Sequence, residues 1–243
     1  MNLRSVFLSC LLAISSQAAI FDLKNDFSLS NGNPNGVWSY QRGFTNLTLQ
    51  SPVLNGNLFI SAVATGFWGA GNDLNLNWDP SVSKALVNGS LAGEDTTLDF
   101  AAGDIVVASA NDSSILNLLW TAPSAGTITG YNGAVWYAHS AVGARSNSYL
   151  LQYGASTLAS GTVSLANNRT NQSVFSGGPF SVSAGDVLGL QIFKTSGTQF
   201  GALSGVNFTV NFNPTTSGVP EPSTVALLGS ALAGLAFFRS RKA

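Results

Sequence analysis

The stretch Val206-Asn207-Phe208-Thr209-Val210-Asn211-Phe212 decides the fold. Val206, Phe208, Val210 and Phe212 fall on one side of an extended chain, and Asn207, Thr209 and Asn211 on the other. A period of two, with β-branched and aromatic residues on the apolar side, predicts a half-buried antiparallel strand. Upstream, "VLGLQIF" (187–193) puts Leu188, Leu190 and Ile192 on one face. "SILNLLWTA", "GAVWYAHS", "SYLLQY", "NLFISAVATGFW" and "DIVVASA" read likewise, separated by Gly, Asn and Ser-Gly turns at short intervals. Outside the two ends no amphipathic helix stands out. The expected architecture is an all-β, jelly-roll-like antiparallel β-sandwich.

The turns carry their own signals. Ala102-Gly103-Asp104 and Ala184-Gly185-Asp186 each precede a strand. Glycine supplies the positive φ of a tight turn, and the aspartate is expected to bond the backbone beyond it. In "TAPSAGTITG", Pro123 ends one strand and Gly126 opens the next.

Composition excludes several functions. Between Ala19 and Val219 there are six basic and ten acidic residues, a thin net charge of about −4. With no basic patch, nucleic acid is not an expected partner. The single cysteine of the 243 residues is Cys10. It lies in "MNLRSVFLSCLLAISSQAA", where Arg4, an apolar stretch and small residues read as a secretory signal peptide, residues 1–18, cleaved after Ala18. The exported domain then holds no thiol and no disulfide.

The other end reads "GVPEPSTVALLGSALAGLAFFRSRKA", residues 218–243. A linker (214–224) leads to an apolar run over 225–238 and a basic cytoplasmic tail, 239–243. As a helix the run reaches roughly 21 Å, against a hydrocarbon core of about 30 Å. Arg239, Arg241 and Lys242 act as a basic stop on the cytoplasmic side. A short transmembrane helix of this design suits a temporary anchor.

The tail resembles the PEP-CTERM sorting domain of exported proteins from Gram-negative, polysaccharide-producing bacteria. The resemblance implies recognition by an exosortase, a membrane protease-transpeptidase, near Pro220, Glu221 and Pro222. It implies inner-membrane anchoring first, then release to the cell surface or extracellular matrix. The domain between the ends, 19–213, is similar to exported bacterial β-domains described as carbohydrate-binding-like. The blocks "NDFSLSNGNPNGVWSYQRG", "LNLLWTAPSAGTITG" and "FSVSAGDVLGL" carry that likeness. Leu119 and Gln41 depart from it, where the similar sequences often carry Arg and Gly.

Catalytic chemistry finds few residues. His139 is the only histidine, so a Ser-His-Asp triad would have to use it; a half-buried or exposed strand position is expected instead. Glycoside hydrolysis usually needs two positioned carboxyl groups. Glu94 and Asp95 are adjacent and point to opposite faces of a strand, and Asp73 and Asp79 sit at turn positions. No catalytic residue, cofactor or metal site is assigned.

Aromatic rings offer the binding chemistry, because their faces stack on sugars while polar neighbours bond hydroxyls. Trp68, Trp78, Trp136 and Tyr137 are the candidate glycan contacts. Trp38 and Tyr40 share a face and either fill the core, the favoured reading, or form a sugar platform. Trp120 is read as core. The expected function is a non-enzymatic surface or matrix protein with exopolysaccharide or other glycans as ligand class. The alternative is a polysaccharide-active glycosidase or lyase.

Overall fold

The computed structural model describes residues 17–50, 66–70, 80–89, 98–110, 112, 114–139, 144–198 and 201–215. The signal peptide apart from its last residues, the sorting motif, the apolar run, the basic stop, Trp78, Asp73, Asp79, Glu94 and Asp95 lie outside them. Among the described residues no helix is long and apolar enough to cross a membrane.

Fifteen strands and one helical turn form among the described residues. In chain order they are β1 (Ala19–Asp22), α1 (Leu23–Asp26), β2 (Trp38–Arg42), β3 (Thr45–Asn46), β4 (Thr48–Gln50), β5 (Phe67–Gly69), β6 (Ser81–Lys84) and β7 (Ile105–Ala108). Then follow β8 (Leu116–Thr121), β9 (Gly126–Tyr137), β10 (Asn147–Tyr153), β11 (Ser156–Val163), β12 (Ser173–Gly177), β13 (Phe180–Val182), β14 (Val187–Lys194) and β15 (Leu203–Pro214). The short helix starts where Asp22 Oδ1 accepts the Lys24 and Asn25 N–H groups at 2.9 and 3.1 Å, a side-chain cap on otherwise unpaired donors.

The strands form two antiparallel sheets. The first runs β12-β9-β15-β7-β6-β5-β4, with β1 also on β15 and β13 on β9; the second runs β11-β10-β14-β8-β2-β3. Counted from β7, with β12 and β13 as one strand, the eight C-terminal strands order as 1-8-3-6 in one sheet and 2-7-4-5 in the other. That double Greek key is a jelly roll. The first hundred residues widen it, adding β6, β5 and β4 beside β7 and β2 and β3 beside β8.

The core lies where alternation places it. Val206, Phe208, Val210 and Phe212 face Leu188, Leu190 and Ile192 across the sandwich, all at most 2 % exposed. Trp38, Tyr40 and Trp120 join them at 0 %. Trp38 packs edge-on against Phe208 at 5.5 Å, and its indole N–H donates to Asp26 Oδ2 at 2.9 Å. The favoured core reading of Trp38 and Tyr40 agrees with this placement. The Tyr40 hydroxyl is buried and makes no hydrogen bond of normal geometry. Asp26 and Asn35 are its polar neighbours, and burial pushes the phenol far above its ordinary value.

Strand β7 departs from simple alternation, because both its faces are buried. Ile105 and Val107 face the core, while Val106 and Ala108 meet a second apolar cluster of Ala85, Leu98, Phe100, Ala138 and Leu203 on the outside of the first sheet. The chain on either side of 90–97 therefore straps over that outer face.

The two Gly-Asp turns close in the same way. Gly103 and Gly185 take φ of 85° and 86°. Each aspartate reaches back three residues rather than forward: Asp104 Oδ2 accepts the Ala101 N–H and Asp186 Oδ2 the Ser183 N–H, both at 2.8 Å. Asp104, only 2 % exposed, also takes Lys24 Nζ at 3.2 Å and Arg169 Nε at 2.8 Å. Burial alone would raise its pKa; the Arg169, Ala101 and Lys24 donors outweigh that and hold it below the usual carboxylate range.

Candidate functional site

The two ends of the jelly roll are unlike. At one end the connections are 122–125, 154–155 and 183–186, with four, two and four residues. The start of β1 and the end of β15 lie there too, because Ala19 pairs with Phe212 and Pro214 with Gly126. At the other end the connections are 109–115, 138–146, 164–172 and 195–202, with seven, nine, nine and eight residues. Long connections on a rigid sandwich are where binding groups gather. Here they lie at the end opposite Pro214.

Hydrogen bonds fix this loop end from below. Asn147, fully buried, donates through Nδ2 to the Ala202 carbonyl at 2.9 Å and to Ser204 Oγ at 2.8 Å. Ser109 Oγ donates to Asn147 Oδ1 at 2.6 Å, and the Ala202 N–H donates to Ser109 Oγ at 2.9 Å. One buried asparagine thus ties the 109–115 and 195–202 connections to β10. A buried polar network of this kind rigidifies because each group has its partner.

The β2–β3 hairpin stands beside these loops and is pinned at its tip. The Gly43 N–H donates to the Ile115 carbonyl at 2.8 Å, and Asn117 Nδ2 donates to the Gly43 carbonyl at 2.6 Å. Arg42 bonds Ser114 Oγ at 3.0 Å and pairs with Asp112. Ser114 and Arg42 together hold the Asp112 carboxyl below its usual range. Gly43 takes φ of 56°, which glycine adopts without strain. Phe44, the next residue, is 101 % exposed. It is the only aromatic among the strongly exposed large hydrophobics of the described residues.

Phe44 adjoins the outer face of the second sheet. Strand register aligns Gln41, Asn117, Gln191, Leu150 and Ser160 in one row across β2, β8, β14, β10 and β11. At about 4.8 Å per strand the three amides span roughly 10 Å. The next row is Ser39, Leu119, Gly189, Gln152 and Thr157. Neither row contains a charged residue. The surface therefore offers neutral donors and acceptors and half-buried apolar patches, with the exposed Phe44 ring at the neighbouring hairpin turn.

The aromatic residues singled out from sequence lie elsewhere. Trp68 is 4 % exposed, stacked 6.4 Å from Tyr40, with its indole N–H on the Ser28 carbonyl at 3.0 Å. Trp136 is fully buried outside the first sheet, lying over Gly205 and donating to the Asp99 carbonyl at 2.9 Å. Tyr137 is fully buried in the main core, and desolvation pushes its phenol up to about 12. None of the three presents a ring face to solvent, because each is buried in the main core or under the outer face of the first sheet. Trp78 lies outside the described residues. His139 is buried, not half-exposed, with its ring 5.2 Å from Tyr137.

Phe44 was overlooked, although it left a signal. In "QRGFTN" a large aromatic occupies a turn, where the chain offers nothing to cover it. Among the described residues no three His, Cys, Asp or Glu side chains come together as a metal site.

No curated protein matches this sequence. Two solved structures are similar in part. The C-terminal CBM6 of LamC, a marine laminarinase from Zobellia galactanivorans, matches at 17 % identity and TM-score 0.24, covering 44 % of this chain and 79 % of its own. The apo form of a cyclase from Fischerella sp. matches at 13 % identity and TM-score 0.36, covering 86 % of this chain and 94 % of its own. The jelly-roll assignment rests on the ladder register above. At the C-terminus, residues 218–242 match the PEP-CTERM protein-sorting motif. Residues 218–242 thus carry a PEP-CTERM protein-sorting motif, which marks the chain as an exported protein.

Proposed function

We propose that this protein is a non-enzymatic component of the cell surface or extracellular matrix that binds a neutral glycan chain. The glycan lies on the outer face of the second sheet, with Phe44 stacking on a sugar ring. Gln41 and Gln191, both partly exposed and two strands apart in one row, supply hydrogen bonds. The observation that carries this reading is Phe44: a fully exposed ring on a hairpin whose tip is bonded at both backbone groups and anchored by an arginine. A hairpin backbone held in place before binding loses little freedom on contact. The absence of charge along both rows favours a neutral glycan over an acidic one.

The described carboxylates hold the fold together. All six described acidic side chains are engaged in structural bonds: Asp22 caps α1, Asp26 holds Trp38, and Asp99 accepts the Arg169 N–H. Asp104 pairs with Lys24 and Arg169, Asp112 with Arg42, and Asp186 with Tyr153. The sorting motif supports delivery to the surface. A glycan array probed with residues 19–217 tests the reading. Binding to neutral polysaccharide is expected, and binding to none of the glycans would remove it.

A further inference from the structure

The geometry points to the short-turn end of the sandwich as the surface that rests against the exosortase while the tail is cut. This rests on the reading of exosortase processing. The last described residue, Thr215, is bonded to the domain, its N–H donating to the Ala125 carbonyl at 2.9 Å. Only five residues separate it from Pro220 of the sorting motif. At roughly 3.6 Å per residue they reach at most about 18 Å. Val225, where the apolar run begins, is ten residues away, or about 36 Å at full extension. A folded domain cannot stand clear of a membrane protease on so short a tether. Its base must lie close to the enzyme whenever the motif occupies the active site.

The base is built for such an approach. Its turns expose Pro123, Ala125, Gly154, Ala155, Ala184 and Gly185, none with a long side chain. Asp186 is the only charged residue in the three turns, and it is occupied by Tyr153 Oη at 2.7 Å and the Ser183 N–H. The long connections are at the far end and would not collide with the enzyme. An end of small side chains, whose one carboxylate is already bonded within its own turn, can come close to a membrane protein while desolvating little charge.

The test follows tail removal in the native host by intact mass over time. In one full-length variant, Ala155→Glu and Ala184→Glu place two carboxylates on the base. In a second, Ala166→Glu and Ser196→Glu place the same charge on the loop end. In a third, about ten Gly/Ser residues follow Thr215 in the base-charged chain, adding roughly 17 Å of reach. The base-charged chain should be processed several-fold more slowly than the wild type, the loop-charged chain at the wild-type rate, and the extended chain at close to the wild-type rate. Wild-type processing of the base-charged chain would overturn the inference. So would slowing that the insertion fails to relieve, which would mark a folding or export defect. A wild-type chain that keeps its tail would instead overturn the processing reading itself.

Discussion

The Trp136 indole lies across Gly205, the residue paired with it on the neighbouring strand, so that a Cβ at Gly205 would fall inside the ring. The absent side chain is what lets β9 and β15, the most extensively paired strands, carry a buried tryptophan on their outer face. Gly205→Ala should destabilise the domain by about 1–3 kcal/mol or more, since the ring must leave its position or the strands must part. Urea unfolding of wild type and variant checks this. Equal midpoints would mean that the tryptophan has room to move.

Trp38 sits at the centre of the main core, against Phe208 and bonded to Asp26. Trp38→Ala should cost about 3–5 kcal/mol from the lost apolar burial and the cavity left behind. The same unfolding experiment reads it. An unmoved midpoint would contradict the placement of Trp38 at 0 % exposure.

The strand faces were legible because the core is built from local alternation. Val206 to Phe212 and Leu188 to Ile192 point inward as their period requires. Trp136 was misread for a physical reason. Its period does put it on the outer face, and a strand cannot report that Leu98 to Phe100 and Asn167 to Arg169 close over that face. The amide row was invisible for another reason. Gln41, Asn117 and Gln191 come together only through strand pairings far apart in the chain, and no local pattern gives their register.

Asp104 should make stability depend on acid. Its folded pKa is below the ordinary carboxylate value, so the stabilisation is fully present above about pH 4 and is lost as pH falls through the folded value. Asp104→Asn should lower stability near neutrality by about 1–3 kcal/mol. It should also flatten the acid limb of the stability–pH curve. Melting at pH 7 and down to pH 2 measures both, and an acid limb unchanged by the substitution would assign that limb to other carboxylates.

Processing at the sorting motif predicts the mass of the mature protein. Material from the surface fraction should lack residues 225–243, the apolar run and its basic stop. Intact-mass spectrometry decides this, and full-length tail on mature surface protein would contradict exosortase cleavage.

Glycan binding through Phe44 is the central claim, and one substitution isolates it. Phe44 is fully exposed and packs against nothing that its loss would uncover. Phe44→Ala should therefore leave the melting temperature within about 1–2 °C of wild type, as surface changes do. Retention in an affinity gel containing neutral polysaccharide should be lost. Unchanged retention by the Phe44→Ala protein would contradict the claim.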